Sequence, residues 1–415
     1  MKISLLILCL ISVFVSSCST SPTIPPPNTV TPTNIKTSTP SATFTVIPTE
    51  TSSPTQLSTI SPSSTPRAAN EPGLIALFGE QSSYDSSLVF SPDGILIAQA
   101  NYSVKLWDVG THTLIRELKY PYSEKYYATK ALFSPDNSLI AVNITDYITY
   151  NGSPNGHLLV WDVSTGELLQ DWAQEHATMS AYDGFQSEPR IYNIPVNAMA
   201  FFPASTKLVY ANGNKIEIRD VRQDEESIVW SLGDTMYASE LGIRDDGEFL
   251  YILMKWYKDL TFPALYRWKF KAQIWHTATK SLRREIKFEE VYPLNADMWL
   301  VEQYLVHEDK IKPTFDALDL SADKRKDFPY RTGWKYFNAD ASLMLVVRYI
   351  GVDEDKEGIE IWNTDTWRNI YAFKPTFIDN IFYLSGIAFN PNNSLLAIDY
   401  HGQVYLWDIR PTIQP

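Results

Sequence analysis

Cysteine is nearly missing from this chain: it has 2 in 415 residues, Cys9 and Cys18. Everything after Cys18 can therefore form no disulfide, no thiolate metal site and no cysteine nucleophile, so its stability has to come from packing. A long apolar run is missing as well. The stretch "ISLLILCLISVFV" after Met1 and Lys2 has about thirteen residues, short of the roughly twenty that a spanning helix needs. Positive charge is in deficit, with 35 Lys and Arg against 48 Asp and Glu and a formal net charge of -13, which argues against a nucleic-acid partner. The histidines His112, His157, His176, His276, His307 and His401 are scattered, with no His-Glu-x-x-His pair for zinc. Neither a Gly-x-Ser-x-Gly elbow nor a Gly-rich phosphate loop occurs. The acidic run "DEDKE", Asp353 to Glu357, reads as a solvated loop rather than a calcium site. No catalytic residue, metal or cofactor is assigned.

What is present begins with a leader. A short positive end, the thirteen-residue apolar run and small residues after it read as a secretory signal over residues 1–17. Its close, Val15-Ser16-Ser17-Cys18, resembles a bacterial lipobox, and that resemblance implies that Cys18 is acylated and becomes the first residue of a membrane-anchored protein. Acyl chains contribute about 0.8 kcal/mol per buried methylene. Residues 18–70 are Ser, Thr and Pro with hardly a charge, as in "STSPTIPPPNTVTPTNIKTSTPSATFTVIPTE". Such a composition cannot build a core and predicts a disordered linker. Residues 71–415 are the folded domain, placed outside the cytoplasm at the cell envelope.

Within that domain one outline recurs: "LVFSPDGILIAQ...VKLWDV", "ALFSPDNSLIAV...LLVWDV", "MAFFPASTKLVYA...IEIRDV", "LGIRDDGEFLYIL...AQIWHT", "YFNADASLMLVV...IEIWNT" and "IAFNPNNSLLAI...VYLWDI". Each copy has an alternating strand, a tight turn, a second strand and a third that ends near Trp-Asp. The closing pairs are Trp107-Asp108, Trp161-Asp162, Arg219-Asp220, Trp275-His276, Trp362-Asn363 and Trp407-Asp408, with a worn seventh at Leu318-Asp319. Neighbouring copies lie 43 to 58 residues apart, the period of a four-stranded propeller blade plus insertions. The pattern resembles the WD40 repeat family over nearly everything after residue 72. It implies an all-β, seven-bladed β-propeller of four-stranded antiparallel blades; a six-bladed periplasmic propeller is the rival architecture. The family's opening Gly-His is absent, and the position six before the terminal Trp, commonly Asp, is Asn101, Asn155, Lys356 or His401. The family's buried Asp-His hydrogen bonds are therefore not carried over. In WD40 proteins an N-terminal strand completes the last blade, and "GLIALFG", Gly73 to Gly79, is placed to do so, which removes an open sheet edge.

The family topology puts first-to-second and third-to-fourth turns on one face and all other connections on the opposite one. Turns of the first kind are short. Connections of the second kind are long at 144–156, 255–268, 349–358, 119–127, 173–195 and 374–384, so the large insertions gather on one face, where a rigid scaffold holds binding loops. That face is rich in tyrosine: Tyr120, Tyr122, Tyr126, Tyr127, Tyr147, Tyr150, Tyr182 and Tyr192. In "ALYRWKFK" aromatic and basic residues alternate, which predicts a strand that pairs with "YILMKWY" as a projecting hairpin. The candidate partner-binding residues are Tyr147, Tyr150, Tyr182, Tyr192, Trp256, Tyr257 and Trp268, since aromatic groups with polar tips are enriched in recognition surfaces. The function expected is that of a non-catalytic protein-interaction scaffold. A carbohydrate-binding module, with Trp256 and Trp268 exposed and coplanar, is the alternative, and a glycosidase or lyase using central carboxylates is a further one.

Overall fold

The computed structural model describes residues 73–80, 87–122, 125–146, 156–174, 177–181, 190–194, 198–223, 228–232, 237–258, 267–287, 296–301, 304–309, 314–319, 324–328, 334–338, 340–348, 358–373, 375 and 384–410. The chain divides into Met1–Ile60 and Ser61–Pro415, and every described residue belongs to the second unit.

Thirty strands form among the described residues. After β1 (Leu74–Phe78), blade 1 is β2 (Ser87–Phe90), β3 (Leu96–Ala100), β4 (Ser103–Asp108) and β5 (Leu114–Lys119). Blade 2 is β6 (Tyr126–Phe133), β7 (Leu139–Asp146), β8 (Gly156–Asp162) and β9 (Leu168–Gln174). A separate hairpin, β10 (Ala177–Ala181) and β11 (Arg190–Ile194), precedes blade 3, which is β12 (Met199–Phe201), β13 (Lys207–Asn212), β14 (Lys215–Asp220) and β15 (Ile228–Ser231). Blade 4 is β16 (Tyr237–Ile243), β17 (Phe249–Lys258), β18 (Arg267–His276) and β19 (Ser281–Lys287). Blade 5 is β20 (Ala296–Val301), β21 (Tyr304–Asp309), β22 (Thr314–Asp319) and β23 (Lys324–Phe328). Blade 6 is β24 (Trp334–Phe337), β25 (Leu343–Arg348), β26 (Gly358–Asn363) and β27 (Arg368–Phe373). Blade 7 is β28 (Leu384–Phe389), β29 (Leu395–Tyr400) and β30 (Gln403–Asp408), completed by β1, so that its strand order is β1-β30-β29-β28.

Seven four-stranded antiparallel sheets result, and each third strand ends on the residue pair that the repeat marks, including Leu318-Asp319 in blade 5. Seven blades replace the six-bladed rival. First strands of adjacent blades touch one another, β28 with β2, β2 with β6, β12 with β16 and β16 with β20. They therefore form the inner rim, and the fourth strands the outer one.

This layering explains the sequence pattern. Second strands pack on both faces and read as apolar runs, with β7 buried from Leu139 to Thr145, whereas the outer strand β5 is exposed at four of six positions. The core is a series of seams between blades. One seam joins blades 1 and 2 through Leu106, Leu118, Phe133, Ile144, Leu159 and Trp161. Another joins blades 7 and 1, where Phe78 of β1 packs with Leu88, Phe90, Trp107 and Leu406. Phe78 is 1% exposed and its ring lies 5.1 Å from that of Trp107, a burial that contributes roughly 1.5–3 kcal/mol to closing the ring.

In place of the family's Asp-His pattern, other groups cross the seams. Gln99 of blade 1 donates to Asp399 Oδ2 of blade 7 at 2.5 Å and to the Gly402 carbonyl at 2.7 Å, while Trp107 donates to Gln99 Oε1 at 3.3 Å. In blades 4 and 6 the terminal Trp donates to the residue two before it on its own strand, Trp275 to Gln273 at 2.9 Å and Trp362 to Glu360 at 2.8 Å. Period-two alternation places those two residues on one face. Arg219, which stands where blade 3 should have Trp, makes the same bond to Glu217 at 2.9 Å and lies over the Trp172 ring at 5.3 Å. A guanidinium thus supplies both the donor and the flat surface of the missing indole.

Candidate functional site

Strand direction alternates along an antiparallel meander, so the connections of each blade leave from alternate ends. On the first face, no connection joining described strands is longer than 221–227. These turns are closed by their own side chains. In blade 1, Ser91 donates to Asp93 Oδ1 at 2.6 Å while the Ile95 and Leu96 amides donate to Asp93 Oδ1 and Ser91 Oγ, each at 2.9 Å. Blade 2 repeats this with Ser134, Asp136, Ser138 and Leu139, and blades 6 and 7 use Asn338 and Asn390 in the serine's place. Turns also link across blades: the Asp93 amide donates to Asn137 Oδ1 at 3.1 Å, and Asn338 Nδ2 to Asn393 Oδ1 at 3.0 Å. The polar groups of this face are largely spent on one another.

The opposite face carries the connections 147–155, 175–198, 259–266, 288–295, 349–357 and 374–383, whose ends are fixed by the strands they join. Two elements project from it. The hairpin β10–β11 pairs from Ala177↔Ile194 to Ala181↔Arg190 and belongs to no blade. In blade 4, β16 pairs with β17 as far as Lys255 and β19 with β18 as far as Lys271, but β17 and β18 continue together to Lys258↔Arg267. This is the hairpin that "ALYRWKFK" predicts.

Of the candidate residues, Tyr147, Tyr150, Tyr182 and Cys18 lie outside the described residues. Tyr192 is on β11, opposite Met179. Trp256 is paired with Lys269, and Tyr257 with Trp268. Trp256 and Trp268 therefore take register positions of opposite parity in the ladder. Tyr120 is a structural residue: it is 9% exposed, belongs to the seam between blades 1 and 2, and its hydroxyl donates to the Asn101 carbonyl at 3.0 Å.

The described residues place on the elaborated face one polar cluster that no sequence motif marks. Where the seam between blades 1 and 2 reaches this face, Tyr122 of the connecting segment meets His157 at the start of β8 and Asp171 near the end of β9. Tyr122 donates a short hydrogen bond to Asp171 Oδ2, and His157 Nδ1 lies 2.7 Å from both Tyr122 Oη and Asp171 Oδ1. The phenol hydrogen is committed to Asp171 and the carboxylate has none to give, so the network assigns the hydrogen to Nδ1, which serves both oxygens. Desolvation and then the Asp171 carboxylate push the Tyr122 phenol well above its ordinary value, which keeps it a donor. Tyr126, first residue of β6, packs its ring 5.0 Å from Tyr122 and edge-on to His157 at 5.8 Å. Asp146, directly opposite Tyr126 in the β6–β7 ladder, belongs to the same corner. Sequence reasoning counts Tyr122 and Tyr126 among the tyrosines of the face and treats His157 as isolated, because its partners lie 35 and 14 residues away.

Among the described residues no group of three His, Cys, Asp or Glu side chains could hold a metal ion, and no helix is long and apolar enough to cross a membrane.

No protein-family model matches the chain, and no curated protein matches it. Solved structures do. A chain in the crystal structure of a mitotic checkpoint complex is 13% identical, with a TM-score of 0.52 over 83% of this chain and 96% of that one. The Cps50 (Swd1) β-propeller domain of Myceliophteria thermophila is 13% identical, with a TM-score of 0.54 over 80% of this chain and 98% of that one. Identity at this level speaks for architecture alone, and together with the seven sheets and the closing strand β1 it shows that the chain has the fold of a WD40-type β-propeller.

Proposed function

We propose that this propeller is a non-catalytic scaffold, lipid-anchored through Cys18 outside the cytoplasm, that binds a protein partner through its elaborated face. The observation that carries the reading is the asymmetry of the two faces. One consists of short turns that satisfy their own hydrogen bonds, and the other gathers the long connections, both projecting hairpins and the Tyr122–His157–Asp171 cluster. A fold whose neighbours come from a multiprotein complex and from another propeller domain supports a protein partner over a small substrate.

The test captures partners from the cell envelope with the wild-type chain and two variants. Alanine at Tyr147, Tyr150, Trp256 and Trp268 should weaken capture, because aromatic anchors supply more than about 1–2 kcal/mol each. Alanine at Asp93, Asn137 and Asn392 alters only the turn face and should leave capture unchanged once equal amounts of folded protein are compared. Loss of capture in the turn variant, with retention in the loop variant, would reverse the choice of face.

A further inference from the structure

The inner rim repeats one pattern from blade to blade. Each first strand ends on a residue opposed to the beginning of the second, as in Phe90↔Ile97, Phe133↔Ile140, Phe201↔Leu208, Ile243↔Leu250, Phe337↔Met344 and Phe389↔Leu396. Counting back from that residue picks out equivalent tiers around the axis. Two residues back, Leu88, Ala131, Met199 and Leu241 are buried in the seams. One residue back, with the opposite parity, Val89, Leu132, Ala200, Tyr336 and Ala388 stay partly exposed and form an apolar tier around the axial channel. Three residues back, blades 1, 3 and 7 carry the small residues Ser87, Ala198 and Gly386, whereas blades 2 and 4 carry Lys130 and Glu240. A bulge falls directly before each of these two, at Thr129 and Ser239, whose hydroxyls donate to the Asn143 and Leu253 carbonyls at 3.1 Å. Bulges re-aim the side chains beside them.

Blade 3 separates blades 2 and 4, so β6 and β16 approach one another only across the axis. Desolvation pushes the Lys130 ammonium below the ordinary lysine value, and Glu240 opposes that shift. Both side chains therefore reach into the channel. They do not touch: Lys130 makes no hydrogen bond or ion pair among the described residues, and its nitrogen is not closed off from solvent. A desolvated ammonium without a counter-charge is costly, and an anion placed beside it offsets that cost. Lys130 lies four residues from Tyr126 at one end of β6 and four from Ser134 in the turn at the other, roughly 13 Å from each along the strand. A charge at that depth is beyond a side chain presented on either face and within reach of a small diffusing molecule.

We propose that this tier of the axial channel binds a small monocarboxylate with a short apolar tail, its carboxylate on Lys130 and its tail on the apolar tier about 6–7 Å along the strands. Glu240 sets the charge limit, because a second negative charge beside Lys130 would be repelled by it. The site is separate from the elaborated face and does not rest on the partner-binding reading.

Binding of butyrate, its neutral isostere butyramide, acetate and phosphate to the purified full chain is measured calorimetrically at fixed ionic strength. Butyrate should bind saturably and at least about tenfold more tightly than butyramide, since hydrogen bonds to charged groups contribute at this level. Acetate, with two methylenes fewer, should bind several-fold more weakly. Lys130→Met should lose about tenfold or more in butyrate affinity, Lys130→Arg should keep most of it, and Glu240→Gln should not weaken it. Lys105→Met, which removes a lysine paired with Glu80 on the third strand of blade 1, should bind as wild type does. Absence of saturable butyrate binding, equal affinity for butyrate and butyramide, phosphate bound as tightly as butyrate, or undiminished butyrate affinity in a folded Lys130→Met chain overturns the site. Should Lys130→Met fail to fold, the contrast between the two isosteres on the wild-type chain and the retention of binding in Lys130→Arg decide.

Discussion

At the residue scale, backbone conformation repeats as faithfully as side chains do. The fourth position of the first turn is left-handed in blade after blade, and it is Gly94, Asn137, Gly247, Ala341 and Asn393, with Ala204 beside the same turn in blade 3. Glycine takes that conformation freely and asparagine with little strain, whereas alanine does not. Ala204 is exposed at φ 47°, so Ala204→Gly should stabilise the protein by about 0.5–1 kcal/mol and raise the melting temperature. Ala341 is a poorer site, because it is 7% exposed and glycine would also forfeit a buried methyl worth about 0.8 kcal/mol. A thermal melt in which Ala204→Gly is no more stable than wild type would show that the turn relaxes around alanine without cost. The second recurrent device is the acid that follows the tryptophan. Asp162 accepts from Ser164 Oγ at 2.6 Å, from Arg222 at 2.9 Å and from the Thr165 amide at 3.0 Å, and these bonds hold its carboxyl below the usual range. A carboxyl depressed in the folded state contributes stability that is fully present above its unfolded value near 4 and lost as pH falls through the folded one. Asp162→Asn should therefore lower stability at neutral pH and lose less of it below about pH 4. A denaturant midpoint that tracks wild type from pH 7 to pH 2 would contradict this.

At the element scale, the outer strand meets each terminal tryptophan with a bulge. The register shifts between Leu106 and Trp107, Val160 and Trp161, Ile274 and Trp275, and Ile361 and Trp362, and β1 bulges at Ile75 beside Trp407. In blade 5, where Leu318 takes the tryptophan's position, the ladder runs unbroken to Asp319↔Lys324. A bulge twists an exposed edge away from further pairing, so the tryptophan both fills a seam and shapes the rim. The closing strand β1 is bounded by Gly73 at φ 86° and Gly79 at φ 94°; a Cβ on Gly79 would sit 2.9 Å from the Gly402 carbonyl. Deleting residues through Gly79 should leave β30 unpaired and cause aggregation or a large loss of stability, while deleting 19–66 should leave the melting temperature unchanged. Equal melting of the two chains would remove β1 from its role. Strands, blade number and closure were legible in the sequence because alternation, turn residues and the Trp-Asp ending all act within a few residues. The seams were not. Gln99 and Asp399 are 300 residues apart, His157 finds its acid across a strand pair, and neither the β10–β11 hairpin nor Arg219 as an indole substitute follows from local pattern.

At the scale of the whole molecule, a rigid ring with one elaborated face needs that face held where its partner is, and the N-terminal segment supplies the means on the reading proposed. The ring is closed by β1, the outermost strand of blade 7. A segment of the length and Ser/Thr/Pro composition of residues 18–70 reaches on the order of 150 Å as polyproline and nearer 40 Å as a coil. On the reading proposed, the net charge of -13 would favour a partner with basic groups and disfavour adsorption of the ring to anionic lipid. On the same reading, membrane affinity would come from acyl chains on Cys18, each buried methylene contributing about 0.8 kcal/mol. Cys18→Ala should therefore move the protein from the membrane fraction to the soluble one, or stall it as the unprocessed precursor, without altering the melting temperature of the propeller. Fractionation with detergent partitioning reads the first outcome and mass spectrometry of the N-terminus the second. A Cys18→Ala chain that still partitions into detergent, cleaved and at wild-type abundance, would place the anchor elsewhere or remove it.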